Sequence, residues 1–285
     1  MKYLYFPGCS LKSSGRSYEE SLLSVLKKMN VGVEEIDDWN CCGATNYMAM
    51  NERNAIGITA RNLALAEKQG KEDIMAPCAA CYMGLLKTQK YIETEPKVKE
   101  TVLTNLKKSG LEFENTSKVR HPLDIFINDI SLDTIKDNVY APLKGVKVAC
   151  YYGCQLTRPY ATFDDQRDPQ SMENIVKALG GTPVEWPIKT RCCSGSMTST
   201  VSEIGLRMSY LILKEAKDRG ADVMITACPL CQFNLECFQG KMSGKYGENV
   251  KMPVMYFTQL MGMAFGLDKK ELGLHRMLSP ELSLS

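Results

Sequence analysis

Residues 73–81, DIMAPCAAC, and residues 221–231, ADVMITACPLC, repeat one design in the two halves of a 285-residue chain. In each, a short apolar run reads as a strand that passes directly into a CxxC step and a helix. Upstream of each CxxC lies a vicinal pair, Cys41-Cys42 at a gap of 35 residues and Cys192-Cys193 at a gap of 34. A single cysteine precedes each pair, Cys9 by 31 residues and Cys154 by 37. Ten of the twelve cysteines therefore form two sets of five: Cys9, Cys41, Cys42, Cys78, Cys81 and Cys154, Cys192, Cys193, Cys228, Cys231.

The halves agree beyond their thiols. KYLYFPGC (2–9) and VKVACYYGC (146–154) read as strands entering Gly-Cys turns. Helices follow at 17–30 and 171–180, with Gly32 and Gly181 as expected stops. Second strands end near a tryptophan before each vicinal pair, in VEEIDDWNCC (33–42) and TPVEWPIKTRCC (182–193). Long helices at 52–69 and 203–219 close on Gly70 and Gly220. Matching strand-to-helix elements occupy 119–130 and 253–264, and the polar stretch 87–118 predicts exposed helices. Strands alternating with helices predict an α/β fold. It has two pseudo-symmetric repeats, residues 1–140 and 141–285, joined near 138–145. Each repeat is a small, mostly parallel sheet flanked by helices, its strand order left open.

Composition narrows the function. Net charge is +2 from 35 basic and 33 acidic residues, with no basic cluster of the kind a nucleic-acid partner needs. The longest apolar run, LMGMAFGL at 260–267, falls far short of the roughly 18 residues of a membrane span. The N-terminus does not read as a secretory signal. The expected compartment is the cytoplasm, where spaced cysteines point to metal or catalysis before disulfides.

The expected thiol positions suit metal. Cys9, Cys78, Cys81, Cys154, Cys228 and Cys231 fall where strands hand over to helices. Strand carboxyl ends share one edge of a parallel sheet, and helix N-termini favour thiolate. An ordinary iron–sulfur cluster or structural zinc takes four ligands, whereas each set offers five and includes an adjacent pair. That count points to an iron–sulfur cluster other than a simple cubane, with Gly43 or Gly195 supplying the tight turn. Zinc at each set remains an alternative. So does a thioredoxin-like CxxC pair, although it leaves three thiols per set without a role. Cys150 and Cys237 lie outside the repeat and read as buried small hydrophobes.

The segments FPGC, NCCG and APCAAC resemble the cysteine-rich CCG-domain family, whose pattern places Cys-Cys-Gly between a single cysteine and a CxxC. The second half departs from it with Cys192-Cys193-Ser194-Gly195 and a last gap one residue shorter. Two such units without a ferredoxin segment are most similar to the B subunits of soluble heterodisulfide reductases of methanogenic archaea. The resemblance implies an enzyme subunit that reduces the coenzyme M–coenzyme B mixed disulfide between two noncubane [4Fe-4S] clusters, one on each set of five cysteines. It implies partners in a flavin-based electron-bifurcating complex: a ferredoxin-like subunit, a flavin-bearing subunit and a hydrogenase or formate dehydrogenase. No GxGxxG follows a strand in this chain, so electrons are expected from outside it. Two rival readings are an electron-transfer subunit of a quinone-linked dehydrogenase and a zinc-stabilised binding scaffold. The anionic substrate calls for cations, and Lys12, Arg16, Arg158 and Arg191 flank the thiols. The blander reading of each is solvated surface charge. His121 is a candidate proton donor or a satisfied histidine.

Overall fold

A computed structural model describes residues 1–43 and 46–282. Its strands are β1 (Lys2–Tyr5), β2 (Gly32–Glu35), β3 (Ile74–Met75), β4 (Val119–Arg120), β5 (Lys147–Tyr151), β6 (Thr182–Pro183), β7 (Val223–Thr226) and β8 (Val254–Tyr256). They form two four-stranded sheets in the orders β2-β1-β3-β4 and β6-β5-β7-β8. Every pairing is parallel, and the two orders are the same permutation. The expected pseudo-symmetric α/β fold is present. Among the described residues no helix is long and apolar enough to cross a membrane.

Strand order, which the sequence left open, explains where ligands can gather. From β1 the chain moves to one side for β2, then crosses back over β1 to reach β3. The crevice between the ends of β1 and β3 is thus a topological switch point, as is that between β5 and β7. Cys9 and Cys78 emerge beside the first crevice, and Cys154 and Cys228 beside the second.

The long helices follow the sequence closely, at Glu52–Gln69 and Ser202–Asp218. Helix stops differ in detail. After Arg16–Lys28 the left-handed residue is Asn30 (φ 55°), and after Ser171–Ala178 it is Gly180 (φ 83°). Gly32 instead begins β2, and Gly181 precedes β6. The stretch 87–118 is only partly an exposed surface. Helix Ala79–Thr94 continues through it with Thr88, Gln89 and Ile92 buried, and helix Pro96–Lys108 buries Val102 and Leu106.

The halves are packed together. Helix Phe257–Ala264 of the second lies on helix Arg16–Lys28 of the first, with the Ser21 and Thr258 hydroxyls 2.7 Å apart. Arg276 pairs with Glu20 at 2.9 Å on the same seam. On a second seam, Phe163 packs against Tyr82 and His121, and the Tyr82 and Thr162 hydroxyls stand 2.5 Å apart.

Glycine is required at both Gly-Cys turns. Gly8 and Gly153 each have φ 68°, and an added Cβ would meet Cys81 Sγ at 2.7 Å or Cys231 Sγ at 3.0 Å. A non-glycine residue pays about 1–2 kcal/mol for this backbone alone. Gly8→Ala and Gly153→Ala should each lower unfolding free energy in urea by at least about 1–2 kcal/mol, with thiol crowding adding to the loss. Wild-type midpoints in both variants would contradict this geometry.

Candidate metal centre

The first thiol set is assembled by a scaffold around the carboxyl edge of its sheet. Trp39, after β2, packs edge-on against Phe6 at 5.7 Å and donates from Nε1 to Glu35 at 2.9 Å. Asn62 on the long helix then clamps Asn40, accepting from its backbone N–H at 2.8 Å and donating to its carbonyl at 3.0 Å. One turn away Thr59 donates to the carbonyl of Cys42 at 2.7 Å. Gly43, with φ 67°, turns the chain so that its N–H reaches Cys41 Sγ at 3.5 Å. Cys78 is the N-cap of helix Ala79–Thr94, with Cys81 in its first turn. Sulfur separations are 3.9 Å for Cys9–Cys41 and 3.2 Å for Cys42–Cys81. Cys9 and Cys41 are exposed, and the other three are buried.

The second set is built alike. Trp186 packs on Tyr151, Ser209 donates to the carbonyl of Cys193 at 3.1 Å, and Cys228 caps helix Pro229–Cys237. Thr59 and Ser209 fall 17 and 16 residues after their cysteines, so the anchor repeats with the thiols. Where the first half has Gly43, Ser194 adopts φ 90°, followed by Gly195 at φ 59°. Its hydroxyl lies 2.8 Å from that of Thr198, which ties down a backbone glycine would adopt freely. Asn234 donates to Cys193 Sγ at 3.4 Å and to the Gly195 carbonyl at 2.8 Å. Sequence reasoning passed over Asn234, although its place three residues after Cys231 puts it on the same helix face.

All five thiols of this set line one cavity of about 270 Å³, which Ala79 and Ala80 of the first half also wall. Among the described residues, no three Cys, His, Asp or Glu side chains converge on a single-ion position. The sulfurs surround a volume rather than a point, and an all-sulfur donor set around a volume suits a polynuclear iron–sulfur group.

The two sets converge. Ala79 and Ala80, between the first CxxC cysteines, line the same cavity as Cys228 and Cys231, and Cys78 and Cys228 shift each other's protonation. Thiols packed this closely share protons. Hydrogen bonds from Cys228 first, then Cys81, hold Cys78 well below the ordinary thiol range. At Cys228 the contact with Cys231 lowers the pKa, but that with Cys78 and burial prevail and push it up to about 12. Cys192, bonded by Cys154 and then Cys193, is pulled down to about 2, and the Arg158 charge contributes.

The remaining candidates take distinct positions. Lys12 is held 2.7 Å from both Glu19 and Glu35, and Arg16 pairs with Glu20 at 3.2 Å. Arg158 donates to the Thr190 carbonyl at 2.6 Å within electrostatic reach of Cys192. The Arg191 side chain is exposed, and its carbonyl accepts from Tyr151. His121 is fully buried and caps its helix by accepting from the Leu123 N–H, with Nε2 2.9 Å from the Pro77 carbonyl. Burial, against the pull of the Pro77 and Ala227 carbonyls, pushes it down to about 4. It ties the two CxxC loops together, which is the hydrogen-bonded arrangement of the second of its two expected readings. Cys150 is buried as expected, whereas Cys237 is only half-buried.

The cysteine-rich domain (CCG) family model matches the chain twice, over residues 3–86 and 148–236. The 8-methylmenaquinol:fumarate reductase membrane anchor subunit of Wolinella succinogenes is 30% identical over 276 residues, covering 96% of this chain and 95% of that protein. The B subunit of the ferredoxin/F420H2-dependent CoB-CoM heterodisulfide reductase of Methanosarcina acetivorans is 27% identical, covering 96% and 93%. Among solved structures, a hypothetical protein from Helicobacter pylori superposes with a TM-score of 0.79 at 17% identity, over 98% of this chain and 52% of that one. This chain thus spans about half the length of that protein, with which it shares the fold. With both repeats matched and relatives aligned from end to end, the chain belongs to the cysteine-rich CCG-domain family.

Proposed function

We propose that this chain is the iron–sulfur subunit of a cytoplasmic disulfide-reducing complex, with one noncubane [4Fe-4S] cluster per five-thiol set. Cys9, Cys41, Cys42, Cys78 and Cys81 hold one, in the repeat 1–140. Cys154, Cys192, Cys193, Cys228 and Cys231 hold the other, in the repeat 141–285. The cavity shared by both CxxC steps carries the reading, because Ala79 and Ala80 of the first line it together with Cys228 and Cys231 of the second. Two redox groups facing one site suit a substrate with two sulfurs. Reduction takes two electrons and two protons, breaks the S–S bond and releases two thiols.

The clusters supply one-electron transfer when bound. The chain supplies binding and position. Ala79, Ala80 and Leu230 form an apolar part of the cavity wall, and Gln155 also lines it, with Nε2 3.9 Å from Cys154 Sγ. Arg158 is the best placed of the four cations to attract an anionic substrate, since carboxylates already engage Lys12 and Arg16. The Methanosarcina relative favours the coenzyme M–coenzyme B heterodisulfide as substrate. Electrons come from a ferredoxin-like subunit, fed by a flavin-bearing subunit and a hydrogenase or formate dehydrogenase.

A second reading is electron transfer alone, within a quinol-linked reductase at the membrane; the name of the Wolinella relative favours it. Turnover of heterodisulfide by the isolated, reduced chain separates the two. Anaerobically prepared protein should be brown, with about eight irons and matching sulfide per chain; a colourless zinc protein would overturn both readings. Cys81→Ser should erase one cluster's EPR signal, spare the other and abolish disulfide reduction. Retained turnover would sink the two-cluster mechanism. Arg158→Gln should raise KM for the anionic disulfide roughly tenfold with kcat unchanged. An unchanged KM would remove Arg158 from the substrate site.

A further inference from the structure

Asn234 lies three residues after Cys231 on helix Pro229–Cys237 and is 1% exposed. Its Nδ2 donates to the Gly195 carbonyl at 2.8 Å and to Cys193 Sγ at 3.4 Å, with the Cys193 carbonyl also 3.4 Å away. A carbonyl only accepts, so Gly195 fixes which end of the amide faces the vicinal pair. One N–H is anchored on backbone, which leaves the other for sulfur. Cys193 is itself buried, and it lines the thiol cavity.

The first CxxC helix cannot reproduce this bond. The position three residues after Cys81 is Gly84, which has no side chain, so helix Ala79–Thr94 carries no amide at that place. The two vicinal pairs otherwise share their support. Thr59 donates to the Cys42 carbonyl at 2.7 Å, and Ser209 to the Cys193 carbonyl at 3.1 Å. The Asn234 bond to sulfur is thus additional to the anchor that the repeats have in common. A protonated thiol is a weak acceptor, whereas a metal-bound thiolate is charged and accepts strongly.

We infer that Asn234 donates to the Cys193 sulfur of the iron–sulfur group held by the second set and thereby raises its reduction potential. The inference rests on the proposed function and adds a positioning residue to it. A hydrogen bond to ligand sulfur favours the reduced state, which carries the greater negative charge. Electrons are drawn toward the set that lines the cavity. Asn234 acts through Cys193 without touching substrate.

The test is Asn234→Leu in the full chain, loaded anaerobically with iron and sulfide and titrated with EPR detection beside wild type. Leucine keeps the branched outline of asparagine and donates nothing. One of the two cluster potentials should move to a more negative value while the other holds. The expected shift is roughly the 59 mV of a tenfold change in a one-electron equilibrium. A residue that only braced the loop would lower the thermal midpoint and leave both potentials unchanged. That result, or two potentials that move alike, overturns the assignment and leaves the proposed function standing. A wild-type chain that takes up no iron overturns both. Should the variant fail to load, wild-type protein with isotopically labelled nitrogen only in its asparagine side-chain amides decides by hyperfine spectroscopy, with Cys81→Ser marking the second cluster. A labelled nitrogen coupled to that reduced cluster supports the assignment, and its absence refutes it.

Discussion

The convergence of the two CxxC steps on one cavity, lined by Ala79 and Ala80 of the first and by Cys228 and Cys231 of the second, is the constraint that organises the site. Cys78 and Cys228 each occupy the N-cap position of the helix that follows the third strand of its sheet. For the two steps to share one cavity, the carboxyl edges of both sheets must face it. That orientation brings helix Phe257–Ala264 onto helix Arg16–Lys28 and stacks Tyr256 on Tyr18. It also lets His121 span Pro77 and Ala227, the residues immediately before the paired thiols. Apolar packing and two buried hydroxyls thus hold a layer of sulfur that would repel itself if fully ionised.

Within this frame the repeats are equivalent in backbone and unequal in surroundings. Gly8 and Gly153 share a left-handed turn that admits the sulfur of the distal CxxC cysteine, and Thr59 and Ser209 anchor the vicinal pairs identically. Ser194 adopts the conformation of Gly43 at the cost of strain, with Thr198 restraining it. The first set presents Cys9 and Cys41 to the surface, while the second opens into a cavity walled in part by the first half. Duplication supplied two similar cradles, and their local environments have diverged to different exposure and charge.

Much of the site was legible because thiols are scarce and their spacing is not degenerate. The strands before Cys78 and Cys228, the long helices and the Gly-Cys turns all follow from short-range patterns of period two or 3.6 and from turn chemistry. Asn30, by contrast, replaced Gly32 as a helix stop because asparagine also tolerates the left-handed region. The fate of Lys12 was hidden, since Glu19 and Glu35 reach it from a neighbouring helix and strand. His121 was hidden too: its neutrality comes from burial between two loops 150 residues apart in sequence.

The sequence by itself determined the duplication, the α/β class, the ten thiols and the attachment of six of them to strand ends. All of these depend on local pattern and on residue chemistry that needs no neighbours. Only the tertiary structure decided strand order, and with it the crevices beside β1 and β5. It alone brought both CxxC steps to one cavity. The physical reason is that pairing between distant strands and the docking of two halves depend on summed surface burial and shape. No single stretch of the chain encodes either one.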